Sequence, residues 1–216
     1  MPAKNKELVI ATRNAGKTRE FASLFEPLGI KVRSLNDFPD APDIVEDGDT
    51  FEANARKKAR VISEAFGLPA LANDSGLCVE ALGGEPGVYS ARYAGEGAAD
   101  ADNNAKLLRE LNRLVEEGAI VPEQASVAGE EVRLLSPARF VCALALYDPD
   151  APELTVEGEC AGVIVDRPLG EGGFGYDPLF YVPGAGQTMS QMPMEAKNGI
   201  SHRAAALRKL QELLKA

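Results

Sequence analysis

The sequence has few residues that could build a disulfide framework or a metal centre of cysteines and histidines. It contains three cysteines and one histidine among 216 residues. The cysteines, Cys78, Cys142 and Cys160, are odd in number, widely spaced and without a C-x-x-C pair. Each lies in an apolar segment typical of a strand. We therefore expect three buried free thiols, since free cysteine packs as a small apolar residue.

Long apolar runs are also missing. No run approaches the roughly 20 residues that a membrane-spanning helix needs. The apolar stretch near the N-terminus is too short for a secretory signal and leads straight into a polar loop. We therefore expect a cytoplasmic protein with no membrane partner.

Positive charge is scarce as well. The 23 Lys and Arg residues are outnumbered by 33 Asp and Glu residues, which gives a formal net charge of −10. This balance disfavours a nucleic-acid partner, because binding many phosphates requires a basic surface. A small anionic substrate is compatible with the composition if the few basic groups converge in one place, together with a metal cation.

The chain combines helix and strand patterns, and its length suits one domain or two lobes that share a sheet. Strands are predicted over 7–12, 139–147 and 154–165, the last two as a hairpin, and around a polar break in 68–84. Helices are predicted over 17–28, 49–67, 103–117 and 201–216, with Asp49 and Glu52 as a capping box, Gly67 as a stop and Ser201 as an N-cap. The order indicates a mixed α/β protein and not a strict alternation of strand and helix.

The stretch VIATRNAGKT joins a buried strand to a helix. Its end fits the P-loop pattern G-x-x-x-x-G-K-[ST], but Ala11 stands where the first glycine belongs. One interpretation is an altered P-loop, with Asp74 at the end of LPALAND as its Mg²⁺-binding aspartate. A second is a different anion site, in which exposed N–H groups, the positive helix end and Lys17 hold a phosphate. A plain strand-to-helix turn with a solvated lysine is the third.

Two carboxylates lie where a cation could bind. Asp74 follows the apolar run PALA, which predicts a strand end beside a cleft, although a turn residue that caps its own backbone fits equally. Glu46 precedes a helix start, where the helix dipole also favours acidic residues. Magnesium prefers a few carboxylates plus substrate phosphates to an all-protein cage, so the pair could hold one Mg²⁺.

A second group of candidates lies towards the C-terminus. GGFGYD sets two aromatics among three glycines, so Phe174 or Tyr176 could stack on a base, although a tight turn with core aromatics is equally compatible. His202 and Arg203 put two potential cations at a helix start, which suggests a compensating anion. A lone histidine there is also common as a surface residue. Lys197 precedes His202 by five residues.

Taken together, these segments resemble the inosine/xanthosine triphosphate pyrophosphatase family. The matching stretches, from Leu8 to Leu210, are ATRNAGKTREFASLFEPLG, EDGDTFEANARKKA, LPALANDSGLCVEALGGEPGVYSARYAG, GGFGYDPLFYVPG and KNGISHRAAALRKL. The combination of DSGL, PGVYSARYAG, GGFGYDP and ISHR in this order is highly specific. The resemblance implies an α/β fold in which a long twisted mixed sheet forms two lobes with a substrate cleft between them. It also implies a single domain over residues 1–216 and a homodimer.

The resemblance implies roles for individual residues. Asp74 matches the catalytic aspartate, and Glu46 with Asp74 matches the site of a Mg²⁺ cofactor. The first loop is then a phosphate cradle of this family and not an altered P-loop. The substrate-binding positions that the match implies are Thr12, Arg13, Asn14, Ala15, Gly16, Lys17, Ser75, Phe174, Gly175, Tyr176, Asp177, Lys197, His202 and Arg203.

Three features depart from the family pattern. Arg13 stands where a small residue is usual, and Asn73 stands where an aspartate often precedes the catalytic one. The segment 116–137 is longer than family members need, and we interpret it as a surface loop. The two substitutions could alter phosphate contacts or metal affinity, but neither removes Asp74.

The implied reaction is hydrolysis of the inosine, deoxyinosine or xanthosine triphosphate to the monophosphate and pyrophosphate. Water attacks the α-phosphorus, Asp74 orients or deprotonates it, Lys17 and the loop N–H groups bind phosphate oxygens, and Phe174 stacks on the base. Three alternatives stay open on the residues alone. They are a P-loop-like nucleotide kinase, a non-catalytic nucleotide-binding module and a pyrophosphatase for modified pyrimidine nucleotides.

Overall fold

The computed structural model describes residues 7–215, with the side chains of Glu20, Ser23, Leu24, Asn198 and Lys215 left aside. Within this range the helices are α1 (Ala15–Phe25), α2 (Phe51–Phe66), α3 (Asp100–Glu116), α4 (Met194–Ile200) and α5 (His202–Lys215). The strands are β1 (Glu7–Ile10), β2 (Lys31–Ser34), β3 (Ala70–Val79), β4 (Glu123–Val127), β5 (Glu130–Asp148), β6 (Ala151–Val165), β7 (Phe180–Val182) and β8 (Gln187–Thr188).

The described strands form one mixed sheet. Their order within residues 7–215 is β2-β1-β3-β5-β6-β7-β8, with β4 paired to β5 outside this path. β1 is parallel to both β2 and β3, whereas β4–β5, β6–β7 and β7–β8 are antiparallel. The predicted α/β class with a mixed sheet is therefore confirmed.

The chain divides into two compact units, each built from separate segments. The first unit comprises Met1–Ser75, Cys142–Gly158 and Arg203–Ala216, and the second comprises Gly76–Val141 and Glu159–His202. β3, β5 and β6 each contribute residues to both units. No helix within residues 7–215 is long and apolar enough to cross a membrane.

The first unit buries both faces of its strands, as the alternation of side chains along β1 requires. Leu8 and Ile10 belong to a core cluster with Phe21 of α1 and Leu210 of α5. Val9, between them, packs in a separate cluster with Ile62 of α2. Helices therefore cover the strands on two sides, and each buried aliphatic or aromatic side chain contributes about 1.5–3 kcal/mol.

The second unit has its own core around α3. Leu107 and Leu111, one turn apart on that helix, are fully buried against Phe140 of β5, Ile164 of β6 and Phe180 of β7. Spacing of four residues puts both leucines on one helix face, which is the amphipathic pattern that predicts this helix. The observed start at Asp100 is three residues earlier than predicted.

Local sequence decides the helix ends in the first unit. Thr50 is the N-cap of α2 and accepts a hydrogen bond from the Ala53 N–H at 3.1 Å, so the predicted cap at Asp49 is wrong by one residue. Gly67 follows the last turn with φ of 65°, a left-handed conformation that glycine adopts without strain, as predicted. α1 ends at Phe25, and residues 26–28 form a tighter 3₁₀ turn.

The segment predicted to be a surface loop forms a β-hairpin instead. β4 and β5 pair antiparallel from Val127–Glu130 to Glu123–Leu134, and the turn residues Ala128 and Gly129 have φ of 50° and 87°. Two positive φ angles match the twist of paired strands in a two-residue turn. The missing helical period in this segment therefore indicated strands rather than irregular chain.

β3 also corrects a prediction. It runs without interruption from Ala70 to Val79, so Asp74 lies within a strand and not at its end. Asn73 and Asp74 are 5% and 9% exposed, and buried polar groups of this kind require partners. Asp74 is accommodated within the strand because both of its carboxylate oxygens find partners, as described next.

Candidate functional site

The loop between β1 and α1 is ordered by its own polar side chains. The Asn14 side chain accepts a hydrogen bond from the Lys17 N–H at 3.0 Å and caps the helix. Thr12 Oγ1 accepts one from the Asn14 N–H at 3.2 Å. Ala15 and Gly16, which form the first turn of the 11-residue helix, are exposed. The positive end of α1 is therefore accessible to an anion.

Arg13 anchors this loop from the side. Its guanidinium Nη1 donates to the Leu35 carbonyl at 3.3 Å, and Asn36 Nδ2 donates to the Arg13 carbonyl at 3.0 Å. A glycine at this position would lack the guanidinium contact. Arg13, which stands where a small residue was expected, thus ties the loop to the segment that follows β2.

Lys17 lies half-buried among other cations. Its Nζ donates to Asn73 Oδ1 at 3.5 Å, a long hydrogen bond. Burial, followed by the positive charges of Arg203 and Lys58, lowers the pKa of Lys17, while Cys142 and Asp74 oppose this effect. Lys17 therefore feels the positive charges of Arg203 and Lys58, and an anion bound beside it would offset that repulsion.

Asp74 is held by two side chains of α2. Lys58 Nζ is 3.2 Å from Asp74 Oδ1, and Asn54 Nδ2 donates to Asp74 Oδ2 at 3.1 Å. The same Lys58 Nζ is 3.1 Å from Glu46 Oε1. One ammonium group therefore contacts both candidate metal-binding carboxylates.

The environment of Asp74 changes its acidity. Burial raises the pKa of Asp74, and Lys58 opposes this effect with its positive charge, whereas Glu46 adds to it. The hydrogen bond from Asn54 also favours the ionised form. The net direction is upward, so this carboxylate binds a proton more readily than an exposed aspartate does.

Asn54 also shapes the loop that carries Glu46. The Gly48 N–H donates to Asn54 Oδ1 at 2.8 Å, and Asn54 Nδ2 lies 3.4 Å from the Gly48 carbonyl. A Cβ at Gly48 would approach Asn54 Oδ1 to 2.8 Å, which is too close for an ordinary contact. One buried amide therefore connects the Glu46 loop with Asp74.

In the second unit, Asp177 organises the aromatic-glycine loop. Its Oδ2 accepts the Phe174 N–H at 2.9 Å and forms a close ion pair with Lys197 Nζ. That ammonium also lies 4.5 Å from the centroid of the Phe174 ring. A Cβ at Gly173 would overlap the Asp177 carboxylate, so the close approach requires glycine there.

The two aromatic residues of this loop differ in exposure. Phe174 is 60% exposed, whereas Tyr176 is 4% exposed and donates its hydroxyl to the Ser90 carbonyl at 2.9 Å. Burial raises the pKa of Tyr176 and keeps its hydroxyl protonated. The flat exposed surface that a base could stack on therefore belongs to Phe174.

Comparison with known proteins identifies the family of the chain. The sequence profile of the Ham1 family matches residues 8–213. The chain belongs to the Ham1 family. It is 54% identical over 207 residues to a dITP/XTP pyrophosphatase of Geobacillus kaustophilus, covering 96% of this chain and 93% of that protein. A dITP/XTP pyrophosphatase of Geobacter sulfurreducens is 53% identical, with 96% of both chains covered.

A solved structure supports the same assignment. The chain resembles the Ham1 protein of Staphylococcus aureus with a TM-score of 0.83 at 39% identity, covering 97% of this chain and 98% of that one. This likeness extends over both compact units. The α/β architecture is therefore that of Ham1 proteins.

The site residues predicted from the sequence are divided between the two compact units. Thr12 to Lys17, Glu46, Asp74, Ser75 and Arg203 belong to the first unit, and Phe174 to Asp177, Lys197 and His202 belong to the second. Ser75 is half-buried beside Asp74. His202, the first residue of α5, stacks on Phe140 with ring centroids 5.1 Å apart.

Sequence reasoning missed Asn54 and Lys58. They lie four residues apart on the mostly apolar buried face of α2, with Phe51, Ala55 and Ile62. A lysine or asparagine at a core position of an amphipathic helix is a signal in itself, because such groups are rarely buried without a partner. That signal was present in EANARKKA.

Two further observations concern groups of metal-ligating side chains and a cavity. Within residues 7–215, no group of three or more His, Cys, Asp or Glu side chains is arranged to hold a metal ion. A cavity of about 330 Å³ in the second unit contains none of the candidate site residues; it is lined by Cys78, Val79, Glu80, Gly83, Gly84 and Arg139. The cysteines are free, as predicted, but Cys78 is only half-buried.

Proposed function

We propose that this protein hydrolyses deaminated purine nucleoside triphosphates, namely ITP, dITP and XTP, to the monophosphate and pyrophosphate. It is a nucleoside triphosphate pyrophosphatase that removes these compounds from the nucleotide pool. Its Ham1 relatives named dITP/XTP pyrophosphatases support this substrate class. The observation in the chain itself that carries the proposal is the buried Asp74–Lys58 pair with the partly exposed Glu46, in the same unit as the exposed N-terminus of α1.

The reaction breaks the bond between the α-phosphorus and the oxygen that bridges to the β-phosphate. Water supplies the new oxygen, and a proton leaves that water. Asp74 is the group we assign to hold or accept the proton, because its raised pKa makes it a stronger base than an exposed aspartate. Asn54 and Lys58 fix the carboxylate through both of its oxygens.

A divalent metal, which we take to be Mg²⁺, fits the same residues. Both Glu46 and Asp74 contact one ammonium group, so their oxygens are near enough to share a cation. Two carboxylates with substrate phosphates are the donor set that magnesium prefers. When bound, the metal would neutralise charge on the triphosphate.

The triphosphate is assigned to the first unit's cations and helix end. Lys17 supplies a charge, and the exposed first turn of α1 at Ala15 and Gly16 supplies backbone N–H groups for an oxyanion. The lowered pKa of Lys17 reflects its burial first and then repulsion from Arg203 and Lys58. A phosphate bound beside Lys17 would favour its charged form.

We assign the base to a stacking position on Phe174. Hydrogen-bond donors of the protein would then face the 6-oxo group of the base. His202, in the same unit as Phe174, can present one or two hydrogen-bond donors, which suits a carbonyl but not the amino group of adenine. Donors left buried against that amino group would lower the efficiency with ATP on the order of 10²-fold. Rejection of GTP must depend on its 2-amino group instead.

Product analysis tests the function. Purified protein is incubated with the four standard ribonucleoside triphosphates and with ITP, dITP and XTP, and pyrophosphate and monophosphate are measured. We expect both products from ITP, and none from a matched Asp74→Asn preparation. Orthophosphate or ADP as product would favour a kinase, and intact ITP with measurable binding would favour a non-catalytic module. Modified pyrimidine nucleotides in the same panel test the remaining alternative.

Assembly and location are part of the same proposal. We propose a homodimer that acts in the cytoplasm, with residues 1–216 working as a single catalytic domain. Light scattering of the purified full chain measures the oligomeric state directly. A monomer that retains full activity at assay concentration would reject the dimer without affecting the assigned reaction.

A further inference from the structure

Gly175 of the aromatic-glycine loop is held at both of its backbone polar groups by one helix. Its N–H donates to Asp100 Oδ2 at 2.6 Å, and its carbonyl accepts from Asn104 Nδ2 at 3.0 Å. Asp100 and Asn104 are four residues apart, on the same face of the first turns of α3. We call these two contacts the Gly175 clamp.

We propose that Asp100 and Asn104 are positioning residues that set the orientation of Phe174 and thereby the affinity for the purine base. Neither residue is assigned to touch the substrate. The inference rests on the proposed function, because it deepens the role given there to Phe174. It adds to the reaction two residues far from the glycine-aromatic motif in sequence.

The conformation of Gly175 explains why a clamp is needed. Its φ is 59°, in the left-handed region, so the chain turns sharply between Phe174 and Tyr176. Glycine has the largest backbone freedom of any residue, and an unrestrained turn of this kind would sample many conformations. The clamp fixes the two peptide groups that flank the Gly175 Cα.

Packing alone cannot fix the Phe174 ring. The side chain is 60% exposed, whereas the next aromatic residue, Tyr176, is buried and tied to Ser90. On the other side, Asp177 accepts the Phe174 N–H. The ring, which meets Lys197 Nζ 4.5 Å from its centroid, therefore projects from a backbone held at Phe174 by Asp177 and at Gly175 by α3.

This geometry predicts which kinetic constant changes. A loop that is already ordered loses little conformational entropy when a base stacks on it, so pre-organisation strengthens binding. Stacking holds the base about equally in the ground and transition states. Loss of the clamp should therefore raise KM and leave kcat nearly unchanged.

The first experiment compares Asp100→Ala and Asn104→Ala with Asp102→Ala. Asp102 is two positions along the same helix end, and its carboxylate accepts the Ala99 N–H at 3.2 Å instead of a donor from the loop. Asp102→Ala removes the same charge from the same turn. We expect KM for ITP to rise at least about fivefold in the two clamp variants, with kcat within about twofold, and no such change in the control.

A conservative variant separates the hydrogen bond from the charge. Asp100→Asn keeps an oxygen that can accept the Gly175 N–H, and its KM should stay closer to wild type than that of Asp100→Ala. In a Phe174→Ala background, Asp100→Ala should add almost nothing to KM, because its effect passes through that ring. Additive increases in KM would overturn the proposal, and so would equal KM values for Asp100→Asn and Asp100→Ala.

Hydrogen exchange of the loop gives a readout that needs no activity. Amide exchange of a peptide covering residues 170–180 should be faster in Asp100→Ala and Asn104→Ala than in wild type or Asp102→Ala. Unchanged exchange would overturn the clamp whether or not ITP is hydrolysed. Faster exchange with an unchanged KM would also overturn it. A wild-type protein that fails to hydrolyse ITP would instead reject the proposed function.

Discussion

Lys58 and Asp74 form an ion pair of 3.2 Å in which the two side chains are only 10% and 11% exposed. The pair is asymmetric, because Lys58 Nζ also contacts the more exposed Glu46 at 3.1 Å. Burying charges is unfavourable unless each one is compensated. One ammonium group compensates two carboxylates here, which leaves the group with a net negative charge and suits it to bind a cation.

Replacing Asp74 by asparagine should reduce turnover of ITP by at least about 10²-fold, because the variant lacks the base and the charge that we assign to organise water and metal. Pyrophosphate release at saturating substrate measures this effect. Circular dichroism of the same preparation confirms that the fold is kept. Turnover within a few-fold of wild type would reject Asp74 as the catalytic residue.

The same variant should be at least as stable as wild type near neutral pH. The pKa of Asp74 is higher in the folded protein than its ordinary value, chiefly through burial. The folded state therefore binds this proton more tightly, and wild type loses stability as pH rises through the folded pKa. The substituted amide does not titrate, so the stability advantage of Asp74→Asn should grow with pH above the ordinary aspartate value. Urea unfolding between pH 4 and 8 measures the difference, and a constant difference would contradict the assigned shift.

Removing the shared cation should destabilise the protein strongly. Lys58→Met removes the ammonium group that contacts both Asp74 and Glu46, at a cost on the order of 3 kcal/mol. Lys57→Met is the matched control, since Lys57 forms an exposed pair with Asp47 at 2.6 Å. Loss of that pair should cost at most about 1 kcal/mol. An equal loss of unfolding free energy in the two variants would mean that the Lys58 ion pairs stabilise the protein no more than the exposed Lys57 pair does.

A divalent cation should rescue part of the Lys58→Met defect. Magnesium chloride should raise Tm of this variant more than that of wild type, because Mg²⁺ can replace the positive charge that Lys58 supplied to the two carboxylates. Sodium chloride at matched ionic strength controls for general screening. An identical shift of Tm with both salts would argue against a metal at Glu46 and Asp74.

Wild-type activity should depend on the same metal. Turnover of ITP should disappear in excess EDTA and return with added Mg²⁺, because the substrate phosphates complete the site. The fold should survive chelation, since the protein itself supplies few ligands. Full turnover in EDTA would remove the metal from the mechanism.

Phe174→Ala should raise KM for ITP by about tenfold and lower kcat much less, since stacking on an aromatic ring contributes about 1–3 kcal/mol per base. Tyr176→Phe provides the contrast. It removes the hydroxyl that donates to the Ser90 carbonyl and should lower stability by about 1 kcal/mol without changing KM. The opposite pattern of KM values would assign base stacking to Tyr176.

Local chemistry in the sequence predicted much of the fold and several parts of the site. Gly67 ends α2 because few residues adopt a positive φ there, and the regular leucines of α3 require an apolar partner. The strand, polar turn and helix of the first loop predicted an exposed helix end, which Asn14 caps. These features depend on residues within a few positions of one another.

Other features depended on residues distant in the chain. Asp74 was expected at a strand end because its polar neighbours resemble a break, yet β3 continues through it since Asn54 and Lys58 supply partners 20 and 16 residues away. The hairpin of β4 and β5 was missed because pairing along a long strand compensates for a weak local pattern. The sequence does not show which polar residue will be buried, because burial requires a partner whose position is set only by the fold.

By itself the sequence determined the motifs, the helix stops and the residue types available for phosphate, metal and base. Only the tertiary structure decided how those types are used. It buries Tyr176 and leaves Phe174 exposed, although the two are separated by a single glycine. It puts Lys58 against both Glu46 and Asp74, and Asp100 and Asn104 against Gly175. The physical reason is that burial and charge compensation are properties of contacts between distant segments, which exist only once the chain has folded.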